Sequence, residues 1–222
     1  MRITKIEQQK KRRGRRNIYA DGQFVLGLSD ETVLKAGLRT GDEITSDRLA
    51  SLQQMEERQR ARRTALRYLS TRPRTVRELR DRLREAECSD TDIVAVLADL
   101  QQAGLVNDEE FARTFVRDTL THRPTGRKLL RQKMLLLGLE KSLVESTLDE
   151  LLNAEDQGES ALSAARRYLT RKSPPRDPRE TQKLRSLVAA HLARRGFTWE
   201  AITPVLHALL SFREGPGENT PE

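Results

Sequence analysis

Apolar residues fall in two different rhythms along this chain. Over the first thirty residues or so they come in short strand-like runs. "ITKIEQ" and "NIYADGQFVLGL" have strand content, and Asp21-Gly22 sits between the apolar runs of the second as a type I′ hairpin turn. "SDETVLKAG" comes next and reads as a short helix, capped by Ser29 or Asp30 and stopped at Gly37. Beyond it, spacings of three and four take over, as amphipathic helices require. "TSDRLASLQQMEERQRARRTALRYLSTR" opens at a good cap, Thr45 or Ser46, and meets no breaker before Pro73. It predicts a helix of roughly 40 Å at 1.5 Å per residue. Its middle, Glu56–Arg63, is nearly all charged and offers little apolar face, so it reads as an arm between the β unit and the first helical bundle. A three-stranded unit is marginal alone and is expected to lean on the helical segment after it.

The helical part repeats. Arg72-Pro73 and Arg123-Pro124 lie 51 residues apart, and at that offset Leu79 meets Leu130, Leu83 meets Met134, Cys88 meets Leu139, Ile93 meets Val144, Leu97 meets Leu148 and Leu100 meets Leu151. A third copy fits at an offset of 109, with Val188, Leu192, Phe197, Ile202, Leu206 and Leu209 on the same register. Its first helix, "SAARRYLTR", matches "TALRYLSTR" at an offset of 100, and "SPPRDPRET" accounts for the nine extra residues as a proline-marked loop. The pattern therefore predicts helices over 59–71, 75–86 and 90–103, over 108–121, 126–137 and 141–152, and over 159–171, 180–195 and 199–211. The fold class expected is mainly α: three tandem three-helix repeats in an elongated array, preceded by a small N-terminal unit containing a β-hairpin.

Composition agrees with thin cores. Of the 222 residues, 36% are hydrophobic, 4% aromatic and 33% charged, which is poor in apolar residues without reaching a disordered composition. The expected organisation is a β-rich unit over 1–45, a linker helix and first repeat over 46–107, a second repeat over 108–153, a third over 154–212, and a disordered tail over 213–222. There is no secretory segment and no run of about 18 apolar residues, and one cysteine builds no disulfide framework. A cytoplasmic protein with no membrane partner is expected.

Charge narrows the function. The net charge is +8, but residues 1–16 hold eight Lys/Arg (Arg2, Lys5, Lys10, Lys11, Arg12, Arg13, Arg15 and Arg16) against Glu7 alone. The high pI thus describes a basic N-terminal loop far more than a basic body, and such a run attracts phosphates or is simply solvated. Catalysis finds no support. The chain has no phosphate loop, no dinucleotide turn and no zinc-ligand spacing, and His122, His191 and His207 are scattered. Cys88 aligns with Leu139 and Phe197, which makes it an apolar core position rather than a nucleophile. Asp108-Glu109-Glu110 comes after Asn107 at a helix start, where carboxylates offset the helix dipole. No enzyme and no cofactor are expected.

Three-helix units also build helix-turn-helix readers, and "DLQQAGLVNDEEFA" has a winged-helix look. The groove-entering helix would be the third of each unit, yet these carry Asp90, Asp92 and Asp99, or Glu145, Asp149 and Glu150. Acids facing a phosphate backbone cost affinity, so a stand-alone DNA reader is the alternative rather than the main reading. The second helices are basic. One carries Arg77, Arg80, Arg82 and Arg84 mixed with acids, the next carries Arg127, Lys128, Arg131 and Lys133 with none, and the third carries Lys183, Arg185, Arg194 and Arg195. Either these charges pair within and between units, or they form a long two-signed surface suited to lying along another polymer.

"ALRYLSTRPRTVRELRDRL", "LQQAGLVNDEEFARTFVRD", "RPTGRKLLRQKMLLLGL" and "HLARRGFTWEAITPVL" resemble, in order, signature stretches of the RecX family, across about residues 61–210. "ITKIEQQKKRRGRRNIYADGQFVLGL" is similar to the extra β segment of a subset of that family. The insertion "SPPRDPRET" departs from the pattern and lengthens the third unit. The resemblance implies tandem three-helix repeats and a cytoplasmic, monomeric regulator of the RecA recombinase, most readily an inhibitor. It would lodge in the groove of the RecA–DNA filament and restrain ATPase and strand exchange in recombination and repair, with weak, non-specific DNA affinity of its own. It supplies no catalytic residues. The contact candidates are Lys10, Lys11, Arg12, Arg13, Arg15 and Arg16 in the N-terminal run, Arg72, Arg77 and Arg80 in the first repeat, and Arg123, Arg127, Lys128, Arg131 and Lys133 in the second. Basic second helices and the N-terminal loop would face DNA, and acidic third helices would face RecA.

Overall fold

The computed structural model describes residues 1–10 and 13–210. Lys11, Arg12 and the tail expected over 213–222 lie outside the described residues. Two compact units are present, Met1–Val106 and the chain from Asn107 onward.

The first unit begins with an antiparallel meander of β1 (Ile3–Gln8), β2 (Arg15–Ala20) and β3 (Gln23–Ser29), in the order β1-β2-β3. Asp21 and Gly22 both take positive φ, 49° and 80°, as the I′ turn requires. The ladder reaches further back than the sequence pattern indicates. Arg15 and Arg16 pair with Ser29 and Leu28, so these two residues belong to β2 and not to the basic loop. Ile3, Ile18, Leu26 and Leu28 point to one buried side, closed by Ile44 and by Leu52 of the long helix. Helix α1 (Asp30–Ala36) starts at Ser29, whose hydroxyl accepts from the Thr32 N–H, and ends at Gly37 with φ 65°.

Helix α2 (Ser46–Leu69) is the expected long helix, but its charged middle is not an exposed arm. Glu56 and Gln59 are buried there together with Ala61 and Ala65. The Glu56 carboxylate accepts from the Ser29 N–H at 2.8 Å and from the hydroxyls of Ser29 at 2.9 Å and Thr32 at 2.6 Å. Its other oxygen meets Arg15 at 3.0 Å and Arg63 at 3.2 Å. The sheet leans on α2 through this satisfied carboxylate as well as through the apolar contact at Leu52. These hydrogen bonds and the Arg15 charge outweigh the cost of burial, and hold the Glu56 carboxyl below its ordinary range.

Three small helical cores complete the described chain. The C-terminal half of α2, α3 (Val76–Glu85) and α4 (Asp90–Gln102) enclose Leu79, Leu83, Ile93, Val96 and Leu100. In the second unit, α5 (Asp108–His122), α6 (Arg127–Leu136) and α7 (Lys141–Leu151) enclose Val116, Leu130, Met134, Val144 and Leu148. Helices α8 (Ala154–Leu169), α9 (Pro178–Arg194) and α10 (Trp199–Leu210) enclose Ala165, Val188, Leu192, Phe197 and Ile202. The same turn ends the second helix each time. Glu87, Gly138 and Gly196 take φ of 55°, 83° and 84°, and the next residue donates to the carbonyl five back: Cys88 to Leu83, Leu139 to Met134, Phe197 to Leu192. That is a Schellman closure. In the first repeat a glutamate occupies a left-handed position that ordinarily costs about 1–2 kcal/mol outside glycine. Leu139 and Phe197 are buried, while Cys88 is only partly so, and burial raises its thiol pKa.

The first helix of the third repeat starts earlier than the pattern suggests. Asn153 and Asp156 form a capping box that begins α8 at Ala154 rather than at 159. The last proline of "SPPRDPRET" is not in a loop. Pro178 sits in the first turn of α9, after the Asp177 N-cap, where its missing N–H and fixed φ fit.

Candidate nucleic-acid interface

The basic candidates divide by whether a carboxylate has already claimed them. In the N-terminal run, Arg15 is held by Glu56 and Arg16 by Asp30 at 2.8 Å. Lys10 and Arg13 are exposed and have no ion pair among the described residues. In the first repeat, Arg72 and Arg74 both bind Glu78, whose second role is to close the capping box of α3. Burial opposes ionisation of Glu78, but the Arg72 hydrogen bond, the Thr75 N–H and the two guanidinium charges win and lower its pKa. Arg74 also lies over the Tyr68 ring at 3.9 Å. Arg77 meets Asp81 at 3.8 Å on the helix surface. Arg80 is exposed and has no ion pair among the described residues.

From its sequence, helix α6 is expected to present four cations unopposed by acid. The helix itself has none, but α7 supplies them. Arg127 contacts Glu145 at 3.0 Å and Asp149 at 2.7 Å, and Arg131 also pairs with Glu145. The two arginine hydrogen bonds, Arg131 first, hold the Glu145 carboxyl below its ordinary range. The separation of sign between helices is thus cancelled within this repeat: residues 107–153 contain eight Lys/Arg and eight Asp/Glu. Lys128, Lys133 and Arg123 remain exposed, without an ion pair among the described residues.

The N-terminus of α6 has no side-chain cap, because Gly126 stands where the first repeat has Thr75. Its orphan donors go elsewhere. The Gly126 N–H donates to the Arg195 carbonyl at 2.9 Å, the Lys128 N–H to the Gly196 carbonyl at 3.0 Å, and the Arg127 N–H to Oε1 of Gln157 at 2.9 Å. A Cβ on Gly126 would lie 2.2 Å from the Gly196 backbone, and one on Gly196 would lie 2.3 Å from the Leu129 nitrogen. A glycine pair thus lets the start of α6 abut the end of α9, and unlike helix ends meet there. Nε of Arg195 donates to the Pro124 carbonyl at 2.8 Å, which draws the second and third repeats together.

That joint gathers positive charge. Burial lowers the Arg195 pKa, and the nearby Arg123 and Arg167 charges add to the shift. His191, stacked on Tyr168 at 4.5 Å between centroids, is likewise lowered by burial and then by Arg195 and Arg194. Residues 154–210 contain ten Lys/Arg and six Asp/Glu. Among the described residues, none of those ten makes an ion pair. Three of the six carboxylates are occupied at helix starts: Asp156 in its capping box, Asp177 capping α9, and Glu180 accepting the Arg176 N–H at 2.8 Å. Arg167, Arg194 and Arg195 are not among the contact candidates drawn from sequence. The signal available for them is the local charge excess, not any motif.

Beside the joint, α8 and α10 leave a cleft of about 530 Å³ lined by Leu152, Leu162, Ala201, Pro204 and Val205, with Arg127 and Glu200 in its walls. Among the described residues no three or more His, Cys, Asp or Glu stand together as metal ligands. No described helix is long and apolar enough to cross a membrane.

Family models match the N-terminal unit and the first two helical repeats. Residues 1–45 match the model described as the regulatory protein RecX N-terminal domain, 61–100 match "RecX, first three-helix domain", and 107–148 match "RecX, second three-helix domain". The regulatory protein RecX of Clostridioides difficile (strain 630) is 30% identical over 213 residues, covering 96% of this chain and 97% of its own. That of Clostridium beijerinckii is 27% identical, over 95% and 96%. A crystal structure of regulatory protein RecX superposes with a TM-score of 0.69 at 27% identity, covering 92% of this chain and 98% of the other. RecX from Lactobacillus salivarius shares the fold with a TM-score of 0.61 at 23% identity, over 70% of this chain and 97% of its own. The strand meander, the repeated three-helix cores and these likenesses over most of the chain agree: this chain belongs to the RecX family.

Proposed function

We propose that the protein is a non-enzymatic regulator of the RecA recombinase that binds along the groove of the RecA–DNA filament and restrains its ATPase and strand exchange. The observation that carries this reading is the likeness to proteins named regulatory protein RecX across nearly the whole chain. Tandem repeats with surface charge and thin cores suit a protein that tracks another polymer. In this reading the functional segments are 1–45, 46–107, 108–153 and 154–212, working as a monomer in the cytoplasm.

The DNA-facing cations are those with no carboxylate already bound. Lys10, Arg13, Arg80, Arg123, Lys128 and Lys133 fill that role, while Arg15, Arg16, Arg72, Arg77, Arg127 and Arg131 act first as structural partners. Contact with DNA alone is weak and sequence-independent, since it comes from phosphate neutralisation. The test is the rate of ATP hydrolysis by the cognate RecA on single-stranded DNA as this protein is titrated in. A concentration-dependent fall is expected, and an unchanged rate overturns the proposal. Tight, sequence-specific binding to duplex DNA without RecA would point instead to a stand-alone reader.

A further inference from the structure

The chain has one tryptophan, Trp199, and it is 60% exposed. An indole left in water is an unusual use of a residue that can bury a large apolar surface. The repeat supplies a control. Trp199 is the first residue of the third helix of its repeat, and the residues in that position in the other two repeats are Asp90 and Lys141, both exposed and both charged. The fold therefore asks for no apolar group there. The core of the third repeat is completed by Phe197, Ala201 and Ile202, without Trp199.

Its setting is basic. Arg194 and Arg195 lie five and four residues earlier, at the end of α9, and neither makes an ion pair among the described residues. The main chain of Lys128 is tied to the Gly196 carbonyl at 3.0 Å, which brings a second element's ammonium to the same joint. Arg123 and Arg167 stand close enough to Arg195 to depress its pKa. The acids in this setting are the exposed Glu200 and Glu159, which line one cleft, and the Glu200 carboxyl is held low first by the Thr198 hydroxyl and last by Lys128. An exposed aromatic face amid cations from neighbouring helices is the combination that holds unpaired bases by stacking and their phosphates by charge. Duplex DNA hides its base faces, so the occupant has to be single-stranded.

We infer that Trp199, with Lys128, Arg194 and Arg195, forms a stacking platform for single-stranded nucleic acid at the joint of the second and third repeats. This rests on the nucleic-acid-facing surface proposed above and adds its location and its selectivity. The single indole reports directly. Titrating the full chain with an oligothymidylate is expected to quench Trp199 fluorescence, with the effect lost at high salt, whereas inorganic polyphosphate at equal phosphate concentration binds without quenching. Trp199→Lys, which installs the middle repeat's own residue, is expected to weaken binding of a labelled oligonucleotide by roughly five- to a hundredfold in anisotropy, and Trp199→Phe to restore most of it. Equal quenching by polyphosphate, no quenching by the oligonucleotide, or quenching by RecA in the absence of DNA overturns the platform, the last by assigning the indole to a protein contact. The RecA ATPase assay is read separately on the same wild-type protein. Quenching without any effect on RecA would sink the regulator reading and leave the platform standing; the reverse pattern would do the opposite.

Discussion

The second and third repeats share a register and an architecture, yet they treat charge in opposite ways. In the second, the basic helix α6 lies against the acidic α7, and Glu145 holds both Arg127 and Arg131. In the third, half of the carboxylates serve helix starts and, among the described residues, no arginine makes an ion pair. The lesson is that a basic helix is not a basic surface. What decides is the next helix in the repeat: Glu145 touches both arginines in space from 18 and 14 residues away in sequence. Two further residues set the pair apart from the first repeat: Gly126 and Gly196 exchange a side-chain cap for direct contact between repeats.

The most damaging way to test that joint is to fill it. Gly126→Ala forces a methyl to within 2.2 Å of the Gly196 backbone, and Gly196→Ala adds an unfavourable φ of +84° to a similar clash. Each is expected to destabilise the protein by about 3 kcal/mol in urea unfolding. Gly138→Ala places the same left-handed strain inside the middle repeat, at a cost of about 1–2 kcal/mol. If Gly126→Ala costs no more than Gly138→Ala, the close contact between the two repeats is wrong.

Charge removal separates the repeats next. Neutralising Lys183, Arg185 and Arg194 to Gln takes away cations with no ion pair among the described residues. It is expected to flatten the dependence of log affinity for single-stranded DNA on log salt by up to about 2, at about 0.7 per phosphate contact. Arg127→Gln with Arg131→Gln removes two charges already neutralised by Glu145 and Asp149. The salt slope is expected to stay where it was while stability falls. A larger slope change from the second variant would reverse the comparison.

The reciprocal experiment turns the middle repeat into something like the third. Glu145→Gln frees Arg131 and leaves Arg127 with Asp149, so the salt slope is expected to steepen by about 0.7, one phosphate contact. Acid should act in the same direction. The Glu145 pKa is lower in the folded chain than its ordinary value, so the pairing contributes stability above the ordinary carboxylate range and loses it as pH falls through the depressed value. An affinity unchanged by Glu145→Gln would mean that these guanidinia face away from any polyanion.

Most of the fold is legible in the sequence because it rests on local periodicity. The apolar register from Leu79 to Leu100 recurs with its spacing intact, and its equivalent positions are buried in both copies: Leu79, Leu83, Ile93 and Leu97 in the first, Leu130, Met134, Val144 and Leu148 in the second. The hairpin turn is visible for the same reason, since Asp-Gly is chosen for positive φ. What escapes is long-range and polar. Nothing near Glu56 in sequence announces that Ser29 and Thr32 will satisfy it, so a charged stretch reads as a solvated arm. Arg127 and Arg131 read as free because their partners lie on the following helix. Trp199 stands at the start of a predicted helix, and only its comparison with Asp90 and Lys141 marks it as surplus.

The smallest expected effect is also the most local. His191 sits in the third repeat with its ring on Tyr168 from α8 and with Arg194 and Arg195 close by in the chain. Burial and those two cations disfavour a proton, so its pKa is lowered. The folded state therefore gains stability from this group above the ordinary histidine pKa and loses it as pH falls through the lowered value. A bound phosphate chain would cancel the field of Arg194 and Arg195 and leave the burial contribution in place. NMR titration of the His191 ring should then show its pKa rising toward the ordinary histidine value when oligothymidylate is added. Arg127→Gln with Arg131→Gln should leave that rise intact, because the middle repeat's paired cations take no part in it. A His191 pKa indifferent to the oligonucleotide would place the polyanion elsewhere on the chain and remove the third repeat's free charge from the account of binding.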